Sequence, residues 1–317
     1  MKVHGMTFDF DSWRKTQLAR VDEALDGFID AHSPADLGVA MRYGVLEGGK
    51  RLRALLVLAA CDAVGGHPEA ALRASCAVEM IHAYSLIHDD MPCMDNDVLR
   101  RGKPTVHVAF GEAQALLAGD ALQALAFQIL TPDDAQITST ASVSSIPSAV
   151  QVKLCRLLAR ASGVEGMAGG QAIDLASVGK SLNEAELKRM HELKTGALLK
   201  ASVEMGAACD TQNGTPASHN QQVLQASLAA YGAAIGLAFQ VVDDILDVTA
   251  DASALGKTAG KDAVQNKPTY VALMGLEAAQ AYAEALLVKA LAALDSCGFA
   301  KDAALRELAI QLVQRQS

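Results

Sequence analysis

Four aspartates crowd residues 88–97, HDDMPCMDND: Asp89, Asp90, Asp95 and Asp97. Carboxylates this close repel one another and hold their protons more tightly unless a cation sits between them. A second acidic stretch, FQVVDDILD at residues 239–247, supplies Asp243, Asp244 and Asp247. Asp243 and Asp247 are four residues apart, which on a helix is one face. Each cluster ends a long apolar helical pattern, so the two read as opposite walls of one cavity. Oxygen-only clusters suit Mg²⁺, which takes one or two carboxylates per ion and fills its other positions with water and substrate phosphates. No His/Cys set of zinc spacing competes. Asp95 lies six residues after Asp89, which on a regular helix would place it about 240° round. Both can face one ion only if the intervening MPCM bulges, and Pro92 favours such a break.

A metal-bound substrate of high negative charge also needs cations from the protein. GGKRLR at residues 48–53 offers them: the glycines allow close approach of backbone to ligand. Lys50 and Arg53, three apart, are expected on one face of a starting helix, with Arg51 pointing elsewhere. Arg100 and Arg101 follow the first acidic cluster. Being adjacent, they point in different directions and can serve two phosphate groups through bidentate contacts. ELKTGALL carries Lys194, Thr195 and Gly196, where threonine and glycine both loosen a helix and could turn a carbonyl and a hydroxyl into the cavity. LGKTAGKD contributes Lys257 and Lys261, NKPTY contributes Lys267, and GGQAIDL adds Gln171 and Asp174 without an evident role.

Long helices are required to hold these groups. Prolines are confined to Pro34, Pro68, Pro92, Pro104, Pro132, Pro147, Pro216 and Pro268, leaving long proline-free tracts at 148–215, 217–267 and 269–317. Leu72, Cys76, Met80, Ala83 and Ile87 recur at helical spacing, as do Leu224, Leu228, Tyr231, Ile235, Ala238, Val242 and Ile245. Asp11-Ser12 and Ser181-Leu-Asn183 read as helix starts, and Gly65-Gly66 followed by His67-Pro68 as a stop and a start. Alternating Val/Ile/Thr runs that would argue for strands are missing. Residues 131–150, rich in Ser and Thr, read as a flexible loop between helices. The expectation is one all-α domain over residues 1–317, a bundle of ten or so helices.

Bulk properties narrow the function classes. The 317 residues are 51% hydrophobic with a net charge of −9, a poor match to nucleic acid or an anionic membrane surface. The six cysteines are scattered and form no C-x-x-C pair, arguing against a zinc site or disulfide framework. MKVHGMTFDFDSW has no apolar core of signal-peptide length, and no window approaches about 20 uninterrupted apolar residues. These features point to a cytoplasmic protein with no membrane span.

The motifs, taken together and in order, resemble the all-trans polyprenyl diphosphate synthases. They are GGKRLR, DDMPCMD followed by NDVLRRGKPT, GGQAIDL, KTGALL and FQVVDDILD with LGK behind it. The match is to the bacterial short-chain farnesyl diphosphate synthase type and runs from about residue 40 to about 270; the last fifty residues carry no motif. The resemblance implies an all-helical isoprenoid-synthase fold around a central cavity, usually as a homodimer. It implies head-to-tail condensation of isopentenyl diphosphate with an allylic diphosphate, using Mg²⁺ as three ions per site, with Mn²⁺ as a substitute. By the same resemblance Asp89, Asp95 and Asp243 are metal ligands, and Asp90, Asp244 and Asp247 the remaining acids of those motifs. Lys50, Arg53, His82 and Arg101 look like isopentenyl diphosphate contacts; Arg100, Lys194, Lys257 and Lys267 look like allylic diphosphate contacts. Thr195 and Gln240 match positions lining the carbocation.

In this family the residue five before the first aspartate helps set product length. Here it is Tyr84, with Ser85 next. A bulky ring there, with the two-residue Pro92-Cys93 insertion, resembles the C15 type and implies farnesyl diphosphate; C20 and C10 products are the alternatives. A terpene cyclase also uses DDxxD, but needs no second diphosphate site such as GGKRLR with Arg101 and tends to line its cavity with aromatics, which make up only 4% of this chain. A non-catalytic partner subunit should have lost acids or arginines, and all are present.

Overall fold

The protein is described here by a computed structural model covering residues 8–46, 48–133, 145–180, 182–210, 219–249 and 269–315. Its fold is all-α, in agreement with the sequence. In chain order the helices are α1 (Phe10–Phe28), α2 (Leu37–Leu46), α3 (Leu52–Val64), α4 (Pro68–Asp89), α5 (Val106–Phe110), α6 (Glu112–Leu130), α7 (Ser148–Ser162), α8 (Met167–Ala176), α9 (Glu184–His191), α10 (Ala197–Ala208), α11 (His219–Thr249), α12 (Tyr270–Met274), α13 (Leu276–Asp295) and α14 (Ala303–Gln314). Among the described residues, the strand structure is a hairpin of two-residue strands, β1 (Leu99–Arg100) and β2 (Lys103–Pro104), paired antiparallel with Arg100 opposite Lys103.

Most punctuation follows the sequence. Gly65 caps α3 with φ 65°, and His67 and Pro68 open α4. Asn183 and Glu186 form a reciprocal capping box on α9. The start of α1 lies slightly earlier than Asp11-Ser12 suggests: Asp9 is the cap, its carboxylate accepting from the Ser12 N–H at 3.0 Å. Of the expected loop at 131–150, residues 134–144 lie outside the described residues, whereas Ile146 is buried in the core and α7 begins at Ser148.

Two apolar clusters make the interior. One gathers α1 to α7 around α4; the other gathers α9 and α11 to α14. Helices α3 and α10 feed both, Leu55 and Leu56 facing one cluster and Ala54 and Val57 the other, so this pair is the joint. Gly206 permits it: a methyl group there would lie 2.2 Å from the Val57 carbonyl oxygen. Helix α4 is buried on every side from Ala70 to Ile81 except Leu72, which explains why its apolar pattern is continuous rather than striped. By length and apolarity alone, Glu112–Leu130 and Gln222–Thr249 could cross a bilayer. In this molecule they pack against α4 and α13 respectively, which accounts for their composition. The C-terminal ends of α4 and of α11 carry the two acidic motifs.

Candidate active site

The first wall forms where α4 stops. Helical geometry ends at Asp89, and the next residues wrap back, the Asp95 N–H donating to the Asp89 carbonyl at 2.8 Å and the Asp97 N–H to the Asp90 carbonyl at 3.1 Å. The break at MPCM thus returns Asp95 to the side of Asp89, as the spacing required. Asp90 serves differently from the expectation. The residue is buried, and its carboxylate accepts from Arg100, whose Nε lies 3.0 and 2.8 Å from the two oxygens and whose Nη2 lies 2.6 Å from Oδ1. That fork leaves Asp90 as an anchor of the hairpin rather than an open ligand, and it engages two of the three guanidinium nitrogens of Arg100. The Tyr43 hydroxyl pins the other strand by donating to the Pro104 carbonyl at 2.7 Å.

GGKRLR folds differently from a plain helix start. Gly48 and Gly49 take φ 87° and 128°, Lys50 precedes the helix, and Arg51 at φ 48° caps it. Arg51 turns into the core, to Asp22 at 3.0 Å, Glu79 at 3.5 Å and the Val45 carbonyl at 2.7 Å. Glu79 also accepts from the Ala54 N–H at 3.1 Å, so this buried acid on α4, undisclosed by any motif, holds the loop bearing Lys50 and the first turn of α3 bearing Arg53. Arg101, at φ 53° in the hairpin turn, donates to the Gly48 carbonyl; a methyl on Gly49 would meet its guanidinium at 3.2 Å. Arg101 thus closes on the loop that carries Lys50, and Arg53 and Arg101 both act on His82.

The second wall is α11 with the segment before α10. Glu192–Gly196 winds as a π-helical turn, the loosening that Lys-Thr-Gly suggested. Thr195 does not bond back into its own helix. Its hydroxyl donates to Gln240 Oε1 at 3.3 Å, Gln240 Nε2 donates to Asp244 Oδ1 at 3.0 Å, and Asp244 Oδ2 accepts from the Tyr270 N–H at 2.8 Å. Asp244, expected among the metal ligands, is 3% exposed and orients Gln240 instead. Lys194 Nζ donates to Asp174, and Gly170 lets α8 lie on the π turn: a methyl there would sit 2.1 Å from the Lys194 backbone nitrogen. This gives GGQAIDL the role its sequence left open. Asp243 pairs with Arg315, whose guanidinium also donates to the Phe239 carbonyl at 3.1 Å and lies 4.4 Å from the Phe239 ring centre. A single arginine beyond a C-terminal helix carries no sequence signal, so Arg315 was not foreseen. Asp247 follows one turn after Asp243 and is half-buried. Lys257 and Lys267, like Lys261, lie outside the described residues.

Residues 35–308 match the family described as polyprenyl synthetase. The chain belongs to that family. It is 48% identical over 278 residues to a probable farnesyl diphosphate synthase of Bradyrhizobium diazoefficiens, 87% of this chain and 79% of that one. It is also 48% identical over 205 residues, 63% of its length, to the heterodimeric geranylgeranyl pyrophosphate synthase large subunit 1 of Arabidopsis thaliana. The match spans about half of that plant relative, 53% of its length. The crystal structure of an FPP/GFPP synthase from Zymomonas mobilis aligns with a TM-score of 0.79 at 41% identity, covering 96% of this chain and 98% of that one.

The electrostatics of the site suit a polyanion with its cations. Burial, the Asp95 charge and the Asp90 charge hold the Asp89 carboxyl up at about 6, against the pull of Lys194 and Arg100. His82 stays neutral, pushed well below 6.5 by burial and then by Arg53, Arg101, Arg100 and Arg51. Burial also lowers Lys50, further depressed by Arg315. Arg53 Nε and both amide atoms of Gln171 are buried without a hydrogen-bond partner among the described residues. Such groups suit an anion and its hydration shell. The donor set of the walls, carboxylate oxygens alone, suits Mg²⁺. Among the described residues no three acids, histidines or cysteines stand together as a complete metal site. Below Asp89, Tyr84 stands edge-on to His88 at 5.7 Å, and the Ser85 hydroxyl donates to the His82 carbonyl at 2.8 Å.

Proposed function

We propose that this chain is a Mg²⁺-dependent prenyltransferase that joins isopentenyl diphosphate head-to-tail to dimethylallyl or geranyl diphosphate, giving (E,E)-farnesyl diphosphate. The observation that carries this reading is the pairing of oxygen-only acidic walls with a separate cradle of Lys50, Arg53 and Arg101. One substrate diphosphate fits the walls and a second fits the cradle; a cyclase has no use for the latter. The relatives' names, farnesyl and geranylgeranyl synthases, support the same reaction class. They also keep the C20 product as a second reading.

Asp89 and Asp95 from one side, and Asp243 with Asp247 from the other, would hold Mg²⁺. When bound, the metal neutralises charge growing on the leaving diphosphate. Lys194, tied to Asp174, and the third nitrogen of Arg100 add positive charge at the same group, with Lys257 and Lys267 assigned by family position. Neutral His82 donates or accepts a hydrogen bond at the second diphosphate without competing for a proton. The allylic cation left by C–O cleavage lies against Thr195 and Gln240. Asp244 fixes the Gln240 amide so that its oxygen faces Thr195, aiming lone pairs rather than N–H groups at the cavity. Attack by the isopentenyl double bond then requires loss of one proton, for which the departed diphosphate is the nearest base of suitable strength. Tyr84 sets where the growing chain stops.

A homodimer is part of this proposal. Val108 on α5 and Leu116 and Leu117 on α6 are apolar yet about half exposed, which favours their being covered by a second copy. A cytoplasmic location is consistent with substrates of this charge. The test is incubation of purified protein with isopentenyl and dimethylallyl diphosphates, with and without Mg²⁺, followed by mass spectrometry of the products. Mg²⁺-dependent C15 is expected. No elongation by folded protein would overturn the assignment, and C20 would replace the product.

A further inference from the structure

Tyr84 is not a free-standing plug, because His88, just before the first metal-motif aspartate, is fixed in place beside it. His88 Nε2 lies 3.0 Å from the Leu116 carbonyl oxygen on α6. A carbonyl can only accept, so Nε2 carries the proton, and the ring's orientation is set by the neighbouring helix. The same ring is met edge-on by Tyr84, one turn back on α4, with 5.7 Å between centres and 75° between planes. Gly119 removes any slack: a methyl there would lie 2.1 Å from His88 Nε2. Three contacts therefore tie the Tyr84 ring through His88 to the backbone of α6, and no motif of the sequence assigns His88 a role.

We propose that His88 is a positioning residue for product length. It holds the Tyr84 ring across the path of the growing prenyl chain, so that the stop is a braced pair rather than one side chain. The Tyr84 ring is met from α6 by the Gln123 side chain and edge-on by an imidazole pinned to Leu116, so an allylic chain pressing on it works against both contacts, and His88 supplies the second of them. The inference rests on the reading of Tyr84 as the length-setting residue in the proposed reaction. It extends that reading to α6, through Leu116 and Gly119, and makes the α4–α6 contact part of specificity.

The test compares Tyr84→Ala, His88→Ala and the double variant by the ratio of the next-longer product to the wild-type product, read by mass spectrometry at matched turnover. His88→Ala, with Tyr84 intact, is expected to raise that ratio roughly two- to tenfold, the scale of one lost aromatic contact. The double variant is expected to match Tyr84→Ala, since His88 acts only through Tyr84; a purely structural role would lower the rate and leave the ratio unmoved. Gly119→Ala, which displaces the imidazole while leaving both residues in place, should shift the ratio the same way and serves if His88→Ala does not fold. A lengthened product from Tyr84→Ala with no change from His88→Ala or Gly119→Ala would overturn the role of His88 alone. An unchanged product from Tyr84→Ala would overturn the length-setting reading itself, and this inference with it.

Discussion

The two acidic walls are built in opposite ways. At the end of α4 the helix is broken, the chain folds back, and Asp89 and Asp95 are brought together; burial first, and then the Asp95 and Asp90 charges, hold the Asp89 carboxyl up at about 6. On α11 the helix runs on without a break to Thr249, and Asp243 faces the Arg315 guanidinium, a cation supplied by the end of the chain. The first wall holds a buried carboxyl whose proton is bound tightly; in the second, Asp243 already has a cation beside it. In each wall one aspartate has been turned inward, Asp90 to hold Arg100 and Asp244 to hold Gln240, so the motif's acids divide into those that face the cavity and those that position its other members.

The largest expected effect breaks either wall. Asp89→Ala or Asp243→Ala should lower turnover about 10³-fold or more, the scale of losing metal-borne charge stabilisation, with the helical circular dichroism unchanged. Loss of fold from either would mean the acids are structural. Next comes the inward-facing pair. Asp244→Ala removes the acceptor of two hydrogen bonds in a buried place, which should destabilise the protein by roughly 2–4 kcal/mol in urea titrations and slow turnover as Gln240 loses its orientation.

A smaller effect separates the walls by sign. Asp89 binds its proton more tightly folded, at about 6, than at its ordinary 3.8. Its protonated form therefore favours the folded state fully below about 4, and that contribution is lost as pH rises to 6. In metal-free buffer at pH 7.5, Asp89→Asn should stabilise by about 1–3 kcal/mol, and the gain should vanish near pH 4. Asp243→Asn should instead destabilise under the same conditions, because it strands Arg315. The smallest is Arg315→Gln, which removes a partly exposed ion pair and a ring contact; metal-free stability should fall by about 1 kcal/mol.

Much of this could be read from residue types. Helix starts at His67-Pro68 and Asn183, the bulge at Pro92 and the loosened turn at Lys194-Thr195-Gly196 follow from local chemistry that any context would respect. What the sequence hid depends on tertiary partners. Arg51 looked like an idle neighbour of Lys50 until Glu79, on another helix, received it. Asp90 and Asp244 are indistinguishable in sequence from Asp89 and Asp243; burial beside Arg100 and Gln240 separates them. Arg315 and His88 carry no motif, since what gives them a role is a partner distant in the chain, Asp243 for one and Leu116 for the other.

The central claim is that the two walls are halves of one cation site that substrate completes. Mn²⁺ bound by the protein, counted by electron paramagnetic resonance with and without a non-cleavable allylic diphosphate analogue, tests it most directly. Tight binding is expected only with the analogue present, and Asp89→Asn and Asp243→Asn should each weaken it. Tight binding without the analogue, or insensitivity to either substitution, would contradict the account.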